Sequence, residues 1–321
     1  MNKKISRGRL AKILPGLKTN VSLAQHTTFR IGGPAKYFFA AKTTSDVIKA
    51  IRTAKKLKLP FFVLGQGSNL LVSDKGFNGL VVKIQNSKFK IQNSRLYAEA
   101  GISFSVLVYE TGKRGLAGLE WAGGLPGTLG GAVRGNAGAF GGETKDAIAS
   151  VKALDKNCRV INLNRGQCRF SYRSSIFKKR GWIILSVTMA LQQGDKKKIQ
   201  AIAREHMQQR RQRSPLEYPN AGSIFKNCDL RRAPKQTQKI FQEVIKTDPF
   251  PVIPAAAIIA AAGLKELRMG QAQISEKHPN FIINLGVVGA KDVTRLISLV
   301  KKRVKEKFGI TLQEEIQRVG F

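Results

Sequence analysis

Hydrophobic positions along this chain alternate between two periods. Between residues 43 and 58, Val47, Ile48, Ile51 and Ala54 recur at helical spacing and Pro60 closes the run, which predicts a helix. Phe61-Phe62-Val63-Leu64 follows at once, an unbroken apolar run of the kind buried in a sheet, and leads into Gly65-Gln66-Gly67-Ser68-Asn69. Further strands are predicted at 70–72, 80–84, 89–91 and 96–99, with a helix at 103–114. Strands of a second sheet are predicted at 151–155, 160–163 and 182–191. An amphipathic helix at 195–212, rich in Arg and Gln, leads to a C-terminal region that ends on a helix at 292–308 and a strand at 311–319. The order of elements, without internal repeats, reads as α+β.

One segment obeys neither period. Nine of the twenty residues from Gly123 to Gly142 are glycine, too few side chains to build a core or to favour a helix or strand. A flexible linker is a poor reading, because Leu125, Leu129, Val133 and Phe140 need burial. Backbone that approaches a large anionic ligand closely explains the composition better. The loop at 65–69 points the same way, since glycine frees backbone N–H groups to form an anion nest, with Ser68 and Asn69 as side-chain donors. It is not a Rossmann fingerprint: Leu70 stands at the third glycine position and the chain continues as a strand.

Length and composition set the outer limits. At 321 residues and 42% apolar content the chain is globular, with room for two or three domains. The nearly apolar stretch 250–264 is shorter than the ~20 residues of a membrane span and reads as a buried helix, with Pro254 in its first turn and Gly263 as its stop. Lys3, Lys4, Arg7 and Arg9 precede Lys12 and Pro15, which break up any secretory apolar region, so the cytoplasm is expected. Cys158, Cys168 and Cys228 have no paired ligand spacing and are expected as reduced structural thiols. His26, His206 and His278 are scattered, and no metal is expected. The net charge of +36 is spread over the whole length, which fits a general basic bias at least as well as a nucleic-acid partner, and an anionic substrate benefits from the field in either case.

The order of the motifs joins these signals. Thr27-Thr28-Phe29-Arg30-Ile31-Gly32-Gly33-Pro34-Ala35, the loop 64–71, Gly124-Leu-Pro-Gly-Thr-Leu-Gly-Gly-Ala132 with Asn136-Ala-Gly-Ala139, Tyr172-Arg173-Ser174-Ser175, Glu217-Tyr-Pro-Asn-Ala-Gly-Ser223 and Glu315-Ile316 before Val319-Gly320 follow one another as in one family. From about residue 18 to its end, the chain resembles UDP-N-acetylenolpyruvoylglucosamine reductases, flavoenzymes that complete UDP-N-acetylmuramic acid for peptidoglycan. Residues 217–219 and 274–278 look like the shorter architecture of that family, which lacks an extra substrate-covering loop.

The resemblance implies a two-subdomain FAD-binding fold of the PCMH type, in segments 1–85 and 86–195, with a C-terminal α+β substrate domain at 196–321. It implies FAD as cofactor, NADPH as hydride donor and a UDP-linked enolpyruvyl amino sugar as substrate. Gly65, Gly67, Ser68, Asn69, Gly124, Gly127, Thr128, Gly130, Gly131, Asn136 and Gly138 are then expected to contact FAD, and Tyr172, Tyr218, Lys226 and Asn227 the substrate. Catalysis falls to Arg173, Ser223 and Glu315.

These roles suit the chemistry. Hydride added to an enol ether conjugated to a carboxylate leaves an electron pair beside that carboxylate, and fixed positive charge stabilises it. A planar Arg173 fork supplies such charge, Ser223 a proton, and Glu315 assistance to its delivery. By spacing alone Arg173 belongs to the basic run continued by Lys178, Lys179 and Arg180, Ser223 to a turn, and either Glu314 or Glu315 to a surface ion pair; Glu314 is the fallback for the third role. Lys226 could aid Ser223 or bind diphosphate. Ala260, Cys228 and Arg134-Gly135 depart from the family pattern without removing a reacting group. An FAD-linked oxidase of the same superfamily is the alternative activity. Nucleic acid and a membrane span are not expected.

Overall fold

The helix predicted from residue 43 is Thr44–Lys56, and it starts where a reciprocal cap forms: Thr43 Oγ1 accepts from the Asp46 N–H while the Asp46 carboxylate accepts from the Thr43 N–H. Its stripe of Val47, Ala50, Ile51 and Ala54 is buried with Tyr37, Phe39, Leu80 and Val82 of a four-stranded sheet. The strand order is Lys18–Ser22, Pro34–Ala41, Phe77–Ile84, Phe61–Leu64. Pro34–Ala41 and Phe61–Leu64 both run parallel to Phe77–Ile84, which the intervening helix makes possible as a crossover. This computed structural model describes residues 7–248 and 250–321; Lys3 and Lys4 of the basic N-terminus lie outside the described residues.

A second, antiparallel sheet has five strands in the order Val160–Asn164, Ile148–Leu154, Ile183–Ala190, Arg95–Glu99, Phe89–Gln92. Leu96, Ala98, Val151, Ala153, Val187 and Met189 point into one core with Phe104 and Leu107 of the helix Phe104–Lys113.

The chain divides into two compact units. Of the described residues, the first comprises 7–21, 35–66 and 77–209 and holds both of these sheets apart from terminal residues. The second comprises 22–34, 67–76 and 210–321. The expected segments 1–85, 86–195 and 196–321 describe a three-way division of the same chain. Within the second unit an antiparallel sheet runs in the order Asn220–Ser223, Phe281–Asn284, Ala272–Ile274, Arg268–Met269. The helix Ala290–Phe308 buries Val293, Leu296, Ile297, Val300 and Val304 in the core that this sheet shares with Phe29, Ile31 and Leu71. Asp74 accepts from the N–H groups of Ala290 and Lys291 at 2.8 and 3.3 Å, placing a carboxylate at the positive end of that helix.

Several sequence expectations need correction. The stretch 250–264 is not one helix: Val252–Ile253 is a strand paired with Cys228–Asp229, and only Ala255–Ala261 is helical. Pro254 is its N-cap, because proline fixes an extended entry and has no N–H to leave unpaired. The predicted strand at 311–319 contracts to Gln317–Val319, parallel to Leu70–Val72, while Glu314 forms a single bridge to Phe225. The helix Lys196–Arg213 buries only Ile199, so its surface is polar nearly all round rather than amphipathic. The glycine segment does contain a helix, Leu129–Gly135.

Candidate functional site

That short helix exists because both ends are capped and its few apolar residues are placed at helical spacing. Thr128 Oγ1 accepts from the Gly131 N–H, Leu129, Ala132 and Val133 enter the core, and Asn136 closes the helix in the left-handed region with φ 45°. The signal was present in the sequence as Thr128 at the entry and Asn136 at the exit, outweighed by the glycine count. Glycine is required where the backbone packs closely. A Cβ at Gly65 would lie 2.7 Å from Thr128 Oγ1, and one at Gly130 would lie 3.0 Å from the Ala100 Cβ. Gln66 Oε1 accepts from the Gly127 N–H at 2.9 Å, tying the 65–66 turn to the glycine segment. Gly124 turns the chain with φ 70°.

Arg173 is held by this same segment. The fully buried Asn136 donates to the Ser171 carbonyl and accepts from the Lys145 N–H, while Ser175 donates to the Arg134 carbonyl at 2.7 Å. Ser171 and Ser174 exchange backbone hydrogen bonds, so residues 171–174 form a tight turn with Arg173 at φ 53°. Arg173 Nη2 donates to the Gly138 carbonyl at 3.0 Å, and its guanidinium lies 5.0 Å from the centre of the Tyr172 ring. The first unit thus brings together Tyr172, Arg173, Gly127, Thr128, Asn136 and Gly138. A side chain at Gly138 would crowd Glu143 Cγ at 2.9 Å and Arg173 Nη1 at 3.4 Å.

The second unit assembles Ser223, Glu315 and Asn69 through main chain. Glu315 N–H donates to the Ile224 carbonyl, one residue from Ser223, and Lys226 N–H donates to the Gln313 carbonyl, both at 2.8 Å. Asn69 Nδ2 donates to the Glu315 carbonyl and the Asn69 carbonyl accepts from the Gln317 N–H. Gly67 brings this loop against Thr28: its carbonyl accepts from the Thr28 N–H, and at φ 73° a Cβ would lie 2.3 Å from the His26 carbonyl oxygen. Ser68 passes by Gly222, whose Cβ position is 3.9 Å from the Ser68 carbonyl oxygen. Gly222, at φ 75°, presents Ser223 at the end of the strand Asn220–Ser223. Tyr218 is exposed on the approach to that strand, and Asn227 Oδ1 accepts from the Ala255 N–H.

Sequence reasoning missed Asn280. It is buried, accepts from the Phe225 N–H, donates to the Phe225 carbonyl, and accepts through its own carbonyl from the Ile224 N–H, which fixes the chain just after Ser223. Its position between Pro279 and the apolar run Phe281–Ile283 was the available signal.

The two adjacent glutamates differ. Glu314 accepts from Arg318 at 2.8 and 3.1 Å and from Lys301 at 3.3 Å. Burial opposes its ionisation, but the Arg318 and Lys301 hydrogen bonds and charges outweigh that and hold its carboxyl below the ordinary value. A depressed folded pKa stabilises the fold fully above the unfolded value and loses that contribution as pH falls through the folded one. Comparing Glu314→Gln with the unaltered protein by denaturation, a deficit of at most about 1 kcal/mol is expected at neutral pH for this partly solvated cluster, vanishing in strong acid. A deficit that stays constant into strong acid excludes the ion-pair origin.

Other ionisable groups are consistent with structural roles. Burial pushes the Cys168 thiol up to about 11 and, with the Asp229 charge, raises that of Cys228. Burial also lowers the pKa of Arg134. An open cavity of about 330 Å³, lined by Lys145, Arg165, Gly166, Arg169 and Phe170, contains none of the candidate residues. Among the described residues no cluster of three or more His, Cys, Asp and Glu is arranged to hold a metal, and no helix is long and apolar enough to cross a membrane.

Comparison with known proteins places this chain in a family. The chain is 40% identical over 307 residues to UDP-N-acetylenolpyruvoylglucosamine reductase of Lachnoclostridium phytofermentans, covering 94% of this chain and 92% of that protein. The enzyme of the same name from Caldicellulosiruptor bescii is 41% identical over 301 residues, covering 93% and 89%. The chain belongs to the UDP-N-acetylenolpyruvoylglucosamine reductase family. The family's C-terminal domain matches residues 214–319, and an FAD binding domain matches residues 35–164. The crystal structure of UDP-N-acetylenolpyruvylglucosamine reductase from Thermus caldophilus superposes with a TM-score of 0.75 at 30% identity, covering 94% of this chain and 98% of that one. The reductase fold is therefore the expected one, a two-subdomain α+β FAD-binding fold followed by a C-terminal α+β domain.

The residues present suit a flavin. On the helix Leu129–Gly135 a Cβ at Gly135 would meet nothing within 4 Å and one at Gly131 only Thr128 Oγ1 at 3.4 Å, leaving bare backbone open to a flat ring system.

Proposed function

We propose that this reductase transfers hydride from NADPH to UDP-N-acetylenolpyruvoylglucosamine, giving UDP-N-acetylmuramate for peptidoglycan in the cytoplasm. Near-full-length identity to reductases of this name is the observation that carries the reading. FAD, when bound, supplies the hydride relay between the two substrates. Segments 1–85 and 86–195 serve the FAD and 196–321 the sugar nucleotide. Gly65, Gly67, Ser68, Asn69, Gly124, Gly127, Thr128, Gly130, Gly131, Asn136 and Gly138 hold FAD through close backbone approach, supported by the bare backbone at Gly131, where a Cβ would meet only Thr128 Oγ1 at 3.4 Å.

The protein's own groups manage charge and protons. Arg173 faces the substrate carboxylate and stabilises the electron pair left on the adjacent carbon after hydride addition, supported by the anchoring of its turn at Asn136, Ser175 and Gly138. Ser223 donates its hydroxyl proton to that carbon, and solvent returns it. Glu315 assists the transfer; the commitment of Glu314 to Arg318 and Lys301 supports choosing Glu315 over its neighbour. Tyr172, Tyr218, Lys226 and Asn227 line the substrate path.

Purified protein loaded with FAD is expected to be yellow, to bleach anaerobically with NADPH, and to regain colour when the enolpyruvyl sugar nucleotide is added. Protein that never reoxidises with this substrate excludes the reading.

A further inference from the structure

A hairpin inside the glycine segment does more than pass close to a flavin. Gly138–Ala139 pairs with Gly142–Glu143, and the carbonyl at its start, on Gly138, is the acceptor for Arg173 Nη2. Contacts with Trp121 and His206 hold this hairpin from outside. Gly142 lies so close to Trp121 that a Cβ would come within 2.3 Å of its ring. At the turn, the Phe140 ring stacks on His206 with centroids 4.3 Å apart and planes 5° from parallel. His206 is itself oriented, with Nδ1 3.1 Å from the Glu120 carbonyl oxygen. Phe140 keeps φ 50°, a left-handed conformation that a bulky residue holds only when its surroundings over-determine it.

An exposed aromatic forced into that backbone region would be poor packing if packing were its sole purpose. Against the expectation of burial, Phe140 is 38% exposed, and its ring makes the stack with His206. The same hairpin carries the Gly138 carbonyl oxygen that accepts from the guanidinium. The turn that carries Arg173 is pinned separately by Asn136 and Ser175, so the hairpin governs the tip of the side chain rather than its base.

We propose that the Phe140–His206 stack is a positioning clamp for Arg173, acting through the Gly138 carbonyl to aim the guanidinium at the substrate carboxylate. His206 and Phe140 are assigned a positioning role and no part in the chemistry itself. The inference rests on the reductase reading above.

In FAD-loaded protein, His206→Ala and Phe140→Ala are expected to slow reoxidation by the enolpyruvyl sugar nucleotide by about 10- to 100-fold, the effect of a small misplacement, while NADPH bleaches at the unaltered rate. His206→Phe retains a ring to stack and is expected to restore the rate. In an Arg173→Ala background none of these changes has a further effect. Additive loss in that background, or equal loss for His206→Phe and His206→Ala, overturns the clamp. If His206→Ala or Phe140→Ala fails to fold, as thermal denaturation and flavin content reveal, His206→Phe and Phe140→Leu carry the same cycle. A readout independent of turnover is the side-chain ¹⁵N–¹H resonances of Arg173, expected to be sharp in unaltered protein and His206→Phe and averaged in His206→Ala. Unaltered averaging across the three also overturns the clamp. Unaltered protein that does not reoxidise with this substrate sinks the reductase reading instead, and the Arg173 resonances still decide the clamp.

Discussion

Ser223→Ala protein is expected to bleach with NADPH at the normal rate and then to recover its colour with the enolpyruvyl substrate about 10²- to 10⁴-fold more slowly, the range lost with a positioned general acid. The two half-reactions separate because Ser223 is assigned to the proton alone. The local structure makes the substitution clean. Ser223 ends a strand that pairs with Phe281, Asn280 fixes the backbone of Ile224 and Phe225, and Gly222 supplies the left-handed turn before it. None of these uses the hydroxyl as an essential support, so alanine leaves the backbone in place. Rapid-mixing absorbance of the flavin reads both steps in one experiment. Equal slowing of both steps removes the proton-donor role, and normal recovery of colour removes Ser223 from the reaction.

Much of the fold was legible where a single period ran unopposed. Thr44–Lys56 and Phe61–Leu64 follow from apolar spacing, a capping pair and Pro60, all local in sequence. Illegible parts share a physical cause, which is that distant partners decide them. Nothing near residues 67–76 says that Asp74 meets the helix Ala290–Phe308, or that Leu70–Val72 pairs in parallel with Gln317–Val319. The predicted strand at 311–319 failed for the same reason: the apolar alternation of Leu312 and Ile316 is real and both are buried, but only three residues find a strand partner. In the glycine segment, intrinsic preference against helix was overridden by two caps and a buried stripe of Leu129, Ala132 and Val133. The candidate residues were legible through ordered motifs, not through chemistry alone. Arg173 in isolation looks like one of many surface arginines, and the anchoring of its turn and its bond to Gly138 depend on residues of the glycine segment about 35 to 41 positions away.

Arg173→Lys tests whether charge or geometry matters, and the expected outcome is that lysine rescues little of what Arg173→Ala loses. In the role proposed for Arg173, the alanine variant lacks the fixed positive charge that stabilises the developing electron pair, an effect of about 10²- to 10³-fold on turnover for one preorganised donor. An ammonium restores the charge but not the fork. The arginine keeps Nη2 on the Gly138 carbonyl within a rigid plane of donors, so one contact sets the direction of the whole fork, and the fork serves both anchoring and recognition. A lysine has a single nitrogen on a flexible stem and must give up one of these tasks. Arg173→Lys should therefore turn over closer to Arg173→Ala than to the unaltered protein, with added guanidinium rescuing the alanine variant more than added ammonium does. Lysine at the normal rate would show that a point charge suffices and that the Gly138 contact is incidental. The backbone argues for the geometric outcome: the turn at 171–174 holds Arg173 at φ 53° with reciprocal Ser171–Ser174 hydrogen bonds, fixed from the glycine segment by Asn136 and Ser175. A site that needed only positive charge could have drawn it from the basic run Lys178–Arg180, without a constrained turn.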